Sequence, residues 1–390
     1  MLISAHAGSL PLADESVQCV VTSPPYWGLR KYKGEQEIVW DGDASCQHDF
    51  TGEYLSDVRE ETESGKSRTT ERFYGEPSRK FNGNHQKHFQ THTCRCGAWR
   101  GAYGLEPTIE AYVSHTVIIL RELWRVLRKD GVLFWNIGDS YCGGGNNQGN
   151  NSPIYAKQAS NRGATGQCKG IPAGNGLKPK DLCLIPSRVA LAAQADGWWV
   201  RSMIVWAKPN PMPESVTDRP TDAYEHILML TKSERYYWDA DAVREPQSQG
   251  TFDRYGKDPK IPPKRKWSEH SERGGESHTN MQEHIEARDG SMTAILPGGR
   301  NMRNVWTFPT QPYSGAHFAT FPEEIPKRCI LAASRIGDVV LDPFAGSGTT
   351  GRVAIALRRR PVLVDLAYSA EYRDLAEKRT REVQIEMLSE

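Results

Sequence analysis

The sequence predicts an α/β fold with a mostly parallel sheet, interrupted by polar insertions. Helical and strand patterns alternate along the chain, the arrangement that builds parallel sheets. A glycine-rich segment, Asp342 to Thr350, joins a strand to a helix as a ligand-binding turn does. Two long polar stretches, 41–100 and 244–300, lack apolar periodicity and stand outside the alternation.

Gln18-Cys19-Val20-Val21 reads as a short buried strand. Pro24 and Pro25 stop it, because proline cannot donate to a ladder. Ile109, Val113, Val117, Leu120, Trp124 and Leu127 recur at steps of three or four, giving a helix with one apolar face. Lys129-Asp130-Gly131 is expected to end that helix, and Val132-Leu133-Phe134-Trp135 to begin a strand. Residues 138–180 are rich in Gly and Asn and read as a loop. A second helix–strand pair spans 186–206, and a strand lies around 227–230. Order returns at Phe321, with helices at 325–333, 349–358 and 372–387 and strands at 339–341 and 361–365.

The chain has 390 residues, of which 38% are hydrophobic and 25% charged, so part of it adds little to a core. Its 11 Trp, 15 Tyr and 10 Phe are enough for the remainder to build one. No run reaches the ~18 apolar residues of a membrane span. The N-terminal Met1-Leu2-Ile3-Ser4-Ala5-His6 has no basic and apolar leader, so the expectation is a cytoplasmic protein without a membrane partner. Eight Cys in a chain this long do not read as a disulfide scaffold. A net charge of +1 makes no general case for nucleic acid, so that case rests on local features.

Glycines in Asp342-Pro343-Phe344-Ala345-Gly346-Ser347-Gly348-Thr349-Thr350 allow a sharp turn and close approach of a ligand. The next strand ends on Asp365, placed to grip ribose hydroxyls. No Lys follows the second glycine, as a phosphate loop needs, and the third glycine of the dinucleotide fingerprint is missing. The expected ligand is a nucleoside without a pyrophosphate. Ser23-Pro24-Pro25-Tyr26 follows a strand, where open α/β sheets bind ligands. Its proline carbonyls are rigid acceptors, Tyr26 offers an aromatic face, and Ser23 both donates and accepts. That set suits a planar ring carrying an exocyclic amine.

Thr22-Ser23-Pro24-Pro25-Tyr26-Trp27 resembles the catalytic motif of amino-group DNA methyltransferases, and Asp342 to Thr350 resembles their S-adenosylmethionine loop. The catalytic loop comes first and the cofactor loop last, which is similar to the circularly permuted beta class. Glu122 to Leu127, Trp206 to Pro211, Arg219-Pro220-Thr221, Tyr224-Glu225-His226 and His317 to Pro322 also match motifs of that family, so the resemblance covers most of the chain. One departure is Ser9 after Gly8, where the family often has an acid.

The resemblance implies a Rossmann-like S-adenosylmethionine-dependent methyltransferase fold, permuted, with helices on both faces of the sheet. It implies a catalytic half at 1–40 and 101–243, a polar insertion at 41–100, a target-recognition region at 244–300 and a cofactor-binding half at 301–390. Ser23, Pro24, Pro25 and Tyr26 would be catalytic. Asp342, Phe344, Gly346, Gly348, Thr349, Asp365 and Phe318 would hold the cofactor. The partner would be double-stranded DNA, with Arg254, Tyr255, Lys264, Arg265, Lys266 and Trp267 available to contact it. Beta-class enzymes are often homodimers, and their setting is a bacterial or phage-infected cell with a restriction–modification or self-protection role.

In that class Ser at the first loop position is associated with cytosine N4 and Asp with adenine N6, so Ser23 favours cytosine N4, with adenine N6 the alternative. Carbon-5 methylation needs a Pro-Cys nucleophile, and none of the eight Cys follows a Pro. RNA or protein-amide methyltransferases also use short Pro-Pro-Tyr loops but usually place the cofactor loop first. A non-catalytic DNA-binding protein would not need both loops.

Cys46-Gln47-His48 and Cys94-Arg95-Cys96 form two close pairs of soft ligands that suit a structural zinc ion. The one-residue spacing within each pair is tighter than usual, and His92 could compete as a ligand. The alternative is a set of reduced surface thiols.

Overall fold

A computed structural model describes residues 1–28, 36–54, 87–90, 92–142, 176–178, 180–246, 299–311, 321–366 and 370–389. Phe318, the basic cluster at 264–266 and most of the expected target-recognition region lie outside the described residues.

Eight strands form the main sheet: β1 (Leu2–Ser4), β2 (Val17–Thr22), β7 (Leu127–Ile137), β8 (Trp199–Ala207), β9 (Tyr224–Thr231), β10 (Val305–Thr307), β11 (Val339–Asp342) and β12 (Arg360–Asp365). Their order is β1-β12-β11-β2-β7-β9-β8-β10. All neighbours are parallel except the two pairings of β9. The expected mostly parallel α/β sheet is therefore present, with one reversed strand. Two short hairpins stand apart from it, β3 (Glu37–Trp40) with β6 (Trp99–Ala102) and β4 (Thr51–Tyr54) with β5 (Lys87–Gln90).

Five helices accompany the sheet among the described residues: α1 (Ile109–Val126), α2 (Ile185–Ala195), α3 (Glu324–Ala333), α4 (Thr349–Ala356) and α5 (Ala370–Ser389). Side chains of the central strands alternate between two apolar layers. Val20, Leu133, Trp135, Leu228 and Leu230 share a core with residues of α1 and α2. Val21, Phe134, Ile227 and Met229 share another with residues of α3 and α4. Helices thus cover both faces. None of the described helices is long and apolar enough to cross a membrane.

Three local expectations change. The buried ridge of α1 runs through Tyr112, Thr116, Ile119 and Leu123. Val113 and Trp124 sit half-buried at its margin, and Trp124 meets Trp198 edge-on at 4.9 Å. Lys129-Asp130-Gly131 is not a turn before the strand. Val17 pairs with Leu127 and Cys19 with Val132, so these residues bulge out within β7. The Asp130 carbonyl accepts from the Tyr237 backbone at 2.9 Å and from Gln18 Nε2 at 3.2 Å, which satisfies the bulge. The insertion is also less detached than its polarity implies. Trp40 and Ala98 are buried at its base.

Candidate active site

Both loops leave the sheet at its carboxyl edge. The chain passes from β11 through α4 to β12 on one side and from β2 through α1 to β7 on the other. The crevice between β11 and β2 is thus a topological switch point, where open α/β sheets bind ligands. Asp342 closes the floor of this crevice. Its carboxylate accepts from Thr22 Oγ1 and Thr350 Oγ1, each at 2.7 Å, and from the Phe344 N–H at 3.1 Å. Burial pushes its pKa up to about 6 against the pull of those donors. Asp342 therefore joins the two loops, and both of its carboxylate oxygens are engaged by protein groups.

The glycine loop has an open side and a closed side. Gly346 has φ 46°, and a Cβ there would meet no atom of the described residues within 4 Å. Its N–H donates to Asp365 Oδ2 at 3.1 Å, which ties the loop to the end of β12. Gly348 has φ 76°, but a Cβ there would lie 3.0 Å from Ala376 Cβ of α5. Thr349 Oγ1 accepts from Arg379 of α5 at 3.1 Å, and the same guanidinium donates to the Ser347 carbonyl at 3.2 Å. Gly348 and Thr349 thus face a helix, while Gly346 and Asp365 face the crevice side. Phe344 stacks against Tyr103 at 5.7 Å and meets Trp135 edge-on at 6.0 Å.

The Ser23–Trp27 loop is held from below. The Pro25 carbonyl accepts from Tyr112 Oη at 3.0 Å, and Trp27 Nε1 donates to the Glu106 carbonyl at 3.0 Å. Among the described residues no donor meets the Pro24 carbonyl. The Tyr26 ring lies against Gly138, where a Cβ would come within 2.6 Å of it. Its hydroxyl donates to Glu225 Oε2 at 2.6 Å and accepts from Asn136 Nδ2 at 2.8 Å. Asn136 Nδ2 also reaches Ser23 Oγ at 3.2 Å. Lys208 pairs with the other oxygen of Glu225. Ser23 Oγ lies 3.5 Å from the Tyr26 hydroxyl, too far for a good O–H···O bond.

Asn136, Gly138 and this role for Glu225 and Lys208 were not read from the sequence. One signal was available. Asn136 is 2% exposed within the apolar run Leu133-Phe134-Trp135-Asn136-Ile137, and a polar side chain so placed needs a partner.

Comparison with known proteins gives the family and the fold. The sequence matches the family described as DNA methylase, of the N6/N4 type, over residues 17–378. It is 35% identical to the type II methyltransferase M.Cfr9I of Citrobacter freundii over 94% of this chain and 82% of that protein. It is 34% identical to M.SmaI of Serratia marcescens over 94% of this chain and 85% of that protein. Among solved structures, the cytosine-N4-specific PvuII DNA methyltransferase shares the fold, with a TM-score of 0.50 and 15% identity over 98% of this chain and 89% of that one. A mostly parallel α/β sheet with the Ser23–Trp27 loop and the glycine loop at one switch point is the fold of an S-adenosylmethionine-dependent methyltransferase. The chain belongs to the DNA methylase family of N6/N4 amino-group methyltransferases, whose methyl donor is S-adenosylmethionine.

Proposed function

We propose that this chain methylates the exocyclic N4 amine of a cytosine flipped out of double-stranded DNA. The observation that carries the reading is the state of Ser23 and Pro24. The Pro24 carbonyl has no protein donor among the described residues, and Ser23 Oγ is approached by Asn136 Nδ2 at 3.2 Å. With one lone pair so occupied, the hydroxyl keeps an O–H donor and a second lone pair. The residues of the crevice fit the cofactor, since among the described residues nothing crowds a Cβ at Gly346, and Asp365 ends the adjacent strand and holds the Gly346 N–H. S-adenosylmethionine supplies an electrophilic methyl carbon.

The protein's part is to make a poor nucleophile competent. An exocyclic amine delocalises its lone pair into the ring. Hydrogen bonds from its N–H groups to the Pro24 carbonyl and Ser23 Oγ let the nitrogen pyramidalise and recover that pair. In-line displacement, in which the N–C bond would form as the donor's methyl–sulfur bond breaks and the sulfur keeps the bonding pair, then needs positioning and charge placement, and the extra proton leaves to water. Flipping the base costs a few kcal/mol of unstacking, which the face of Tyr26 offsets.

Adenine presents the same pattern of amine beside ring acceptor, so the choice of cytosine rests on Ser23 and its association with the cytosine type. Digesting methylated DNA to nucleosides for mass spectrometry tests it. N4-methylcytosine is expected. N6-methyladenine would overturn the Ser23 argument and keep the amine mechanism, whereas 5-methylcytosine would overturn both.

Asp365 carries the second expectation. Asp365→Ala removes the acceptor assigned to the ribose and the anchor of the Gly346 N–H. Affinity for S-adenosylmethionine should fall at least about tenfold, the worth of one charge-assisted hydrogen bond. Unchanged affinity by calorimetry would remove the ribose assignment.

A further inference from the structure

The two Cys/His pairs, distant in sequence, converge at the Trp40–Trp99 end of the β3–β6 hairpin, just beyond the last paired residues. The ligand atoms of Cys46, His48, Cys94 and Cys96 all lie within 4.8 Å of one another. Cys46 Sγ is 3.9 Å from Cys94 Sγ, and Cys96 Sγ is 3.3 Å from His48 Nδ1. A tetrahedron with zinc–sulfur bonds near 2.3 Å and zinc–nitrogen bonds near 2.0 Å has edges of about 3.5–3.8 Å. The backbone is shaped for this. Gly97, at φ 89°, donates its N–H to the Cys94 carbonyl at 2.9 Å and folds Cys94-Arg95-Cys96 into a tight turn. Gly42 presses against Ala98, where a Cβ would come within 2.5 Å, so the two halves of the site are in contact.

We propose that Cys46, His48, Cys94 and Cys96 form a structural zinc site that fastens the β3–β6 hairpin beneath the Ser23–Trp27 loop. Three thiolates and an imidazole are soft ligands in a closed set of four, which leaves no open position for catalysis. His92 is not among the four residues whose ligand atoms cluster; its Nδ1 meets the Arg100 carbonyl at 3.0 Å.

The route from the metal to the loop runs through His115 of α1. Trp40, at the end of β3, stacks on its ring at 4.3 Å. The Asp41 carboxylate meets Nε2 at 2.9 Å and Glu106 meets Nδ1 at 3.1 Å. Both ring nitrogens therefore donate, which fits an imidazolium. Glu106 also accepts from the Gly104 N–H at 2.8 Å, and a Cβ at Gly104 would come within 2.9 Å of Pro25. The zinc therefore organises the floor of the loop at one remove. This last step rests on the methyltransferase reading, whereas the metal site does not.

The test is elemental analysis of the native protein purified without chelator. About one zinc per chain is expected. Cys96→Ser should lower that content more than about tenfold, and His92→Ala should leave it unchanged. If the serine variant does not fold, cobalt substitution of the unaltered protein decides. Thiolate-to-cobalt charge transfer with tetrahedral d–d bands supports the site. A metal-free native protein, a Cys46–Cys94 disulfide, or loss of metal in His92→Ala overturns it. Chelation should lower the melting temperature and slow methyl transfer without weakening S-adenosylmethionine binding. Normal turnover by the metal-free protein would overturn the link to the loop, and a zinc-loaded protein that methylates nothing would count against the functional reading alone.

Discussion

Replacing Tyr26 with Ala will slow methyl transfer by about five- to 150-fold, since base–aromatic stacking is worth about 1–3 kcal/mol. S-Adenosylmethionine binding will persist, because the Gly346–Asp365 side of the crevice belongs to other strands. The ring is fixed before any base arrives. Gly138 backs it, and its hydroxyl is bound to both Glu225 and Asn136. Little ordering entropy is then left to lose on stacking. Tyr26→Phe separates the two contributions. It keeps the stacking face and removes the hydroxyl, so its loss reads the hydroxyl's share alone and should be smaller than that of Tyr26→Ala. Single-turnover rates with saturating cofactor measure both. Undiminished turnover in Tyr26→Ala would remove the ring from the reaction, and a loss far beyond 150-fold would give it a part in orienting the amine.

Much of the frame was legible because it is written locally. The strand–glycine loop–helix of Val339 to Ala356 and the strand ending at Asp365 follow from short-range pattern alone. Other features were set by partners that no local pattern announces. β1 and β10 have three residues each and exist because β12 and β8 offer open edges. The face of α1 was misjudged because Thr116 looks polar, yet its hydroxyl is satisfied by Tyr103 at 2.6 Å and by its own helix at 2.7 Å. The bulge at Lys129-Asp130-Gly131 depends on acceptors and donors far along the chain. The candidate site divides in the same way. Ser23, Tyr26, Gly346 and Asp365 come from contiguous motifs. The side chains that hold them, Asn136, Glu225, Arg379 and Tyr112, arrive from other elements of the fold.

Glu225 should prove the most sensitive of these supports. One oxygen takes the Tyr26 hydroxyl and the Asn136 amide, and the other takes the Lys208 ammonium. Lys208 and Glu225 are each 18% exposed, so the pair is only partly screened by water. Glu225→Ala strands the lysine and releases Tyr26 in one step. Its kcat should fall about 10- to 100-fold, the value of one or two charge-assisted hydrogen bonds. The KM for S-adenosylmethionine should stay near that of the unaltered protein, with kcat counted per cofactor-binding chain so that a loss of folding is not read as a loss of rate. Glu225→Gln keeps the shape and an acceptor for the phenol, so it should recover part of the rate. Coupling then identifies the route. If Glu225 acts through the phenol, Tyr26→Phe and Glu225→Ala remove the same contact, and the double variant should be little slower than the slower single one. The double-mutant cycle should show a coupling of about 0.5–3 kcal/mol. Additive losses would mean that Glu225 serves the reaction by another path, with Asn136 and Lys208 the partners through which it could act.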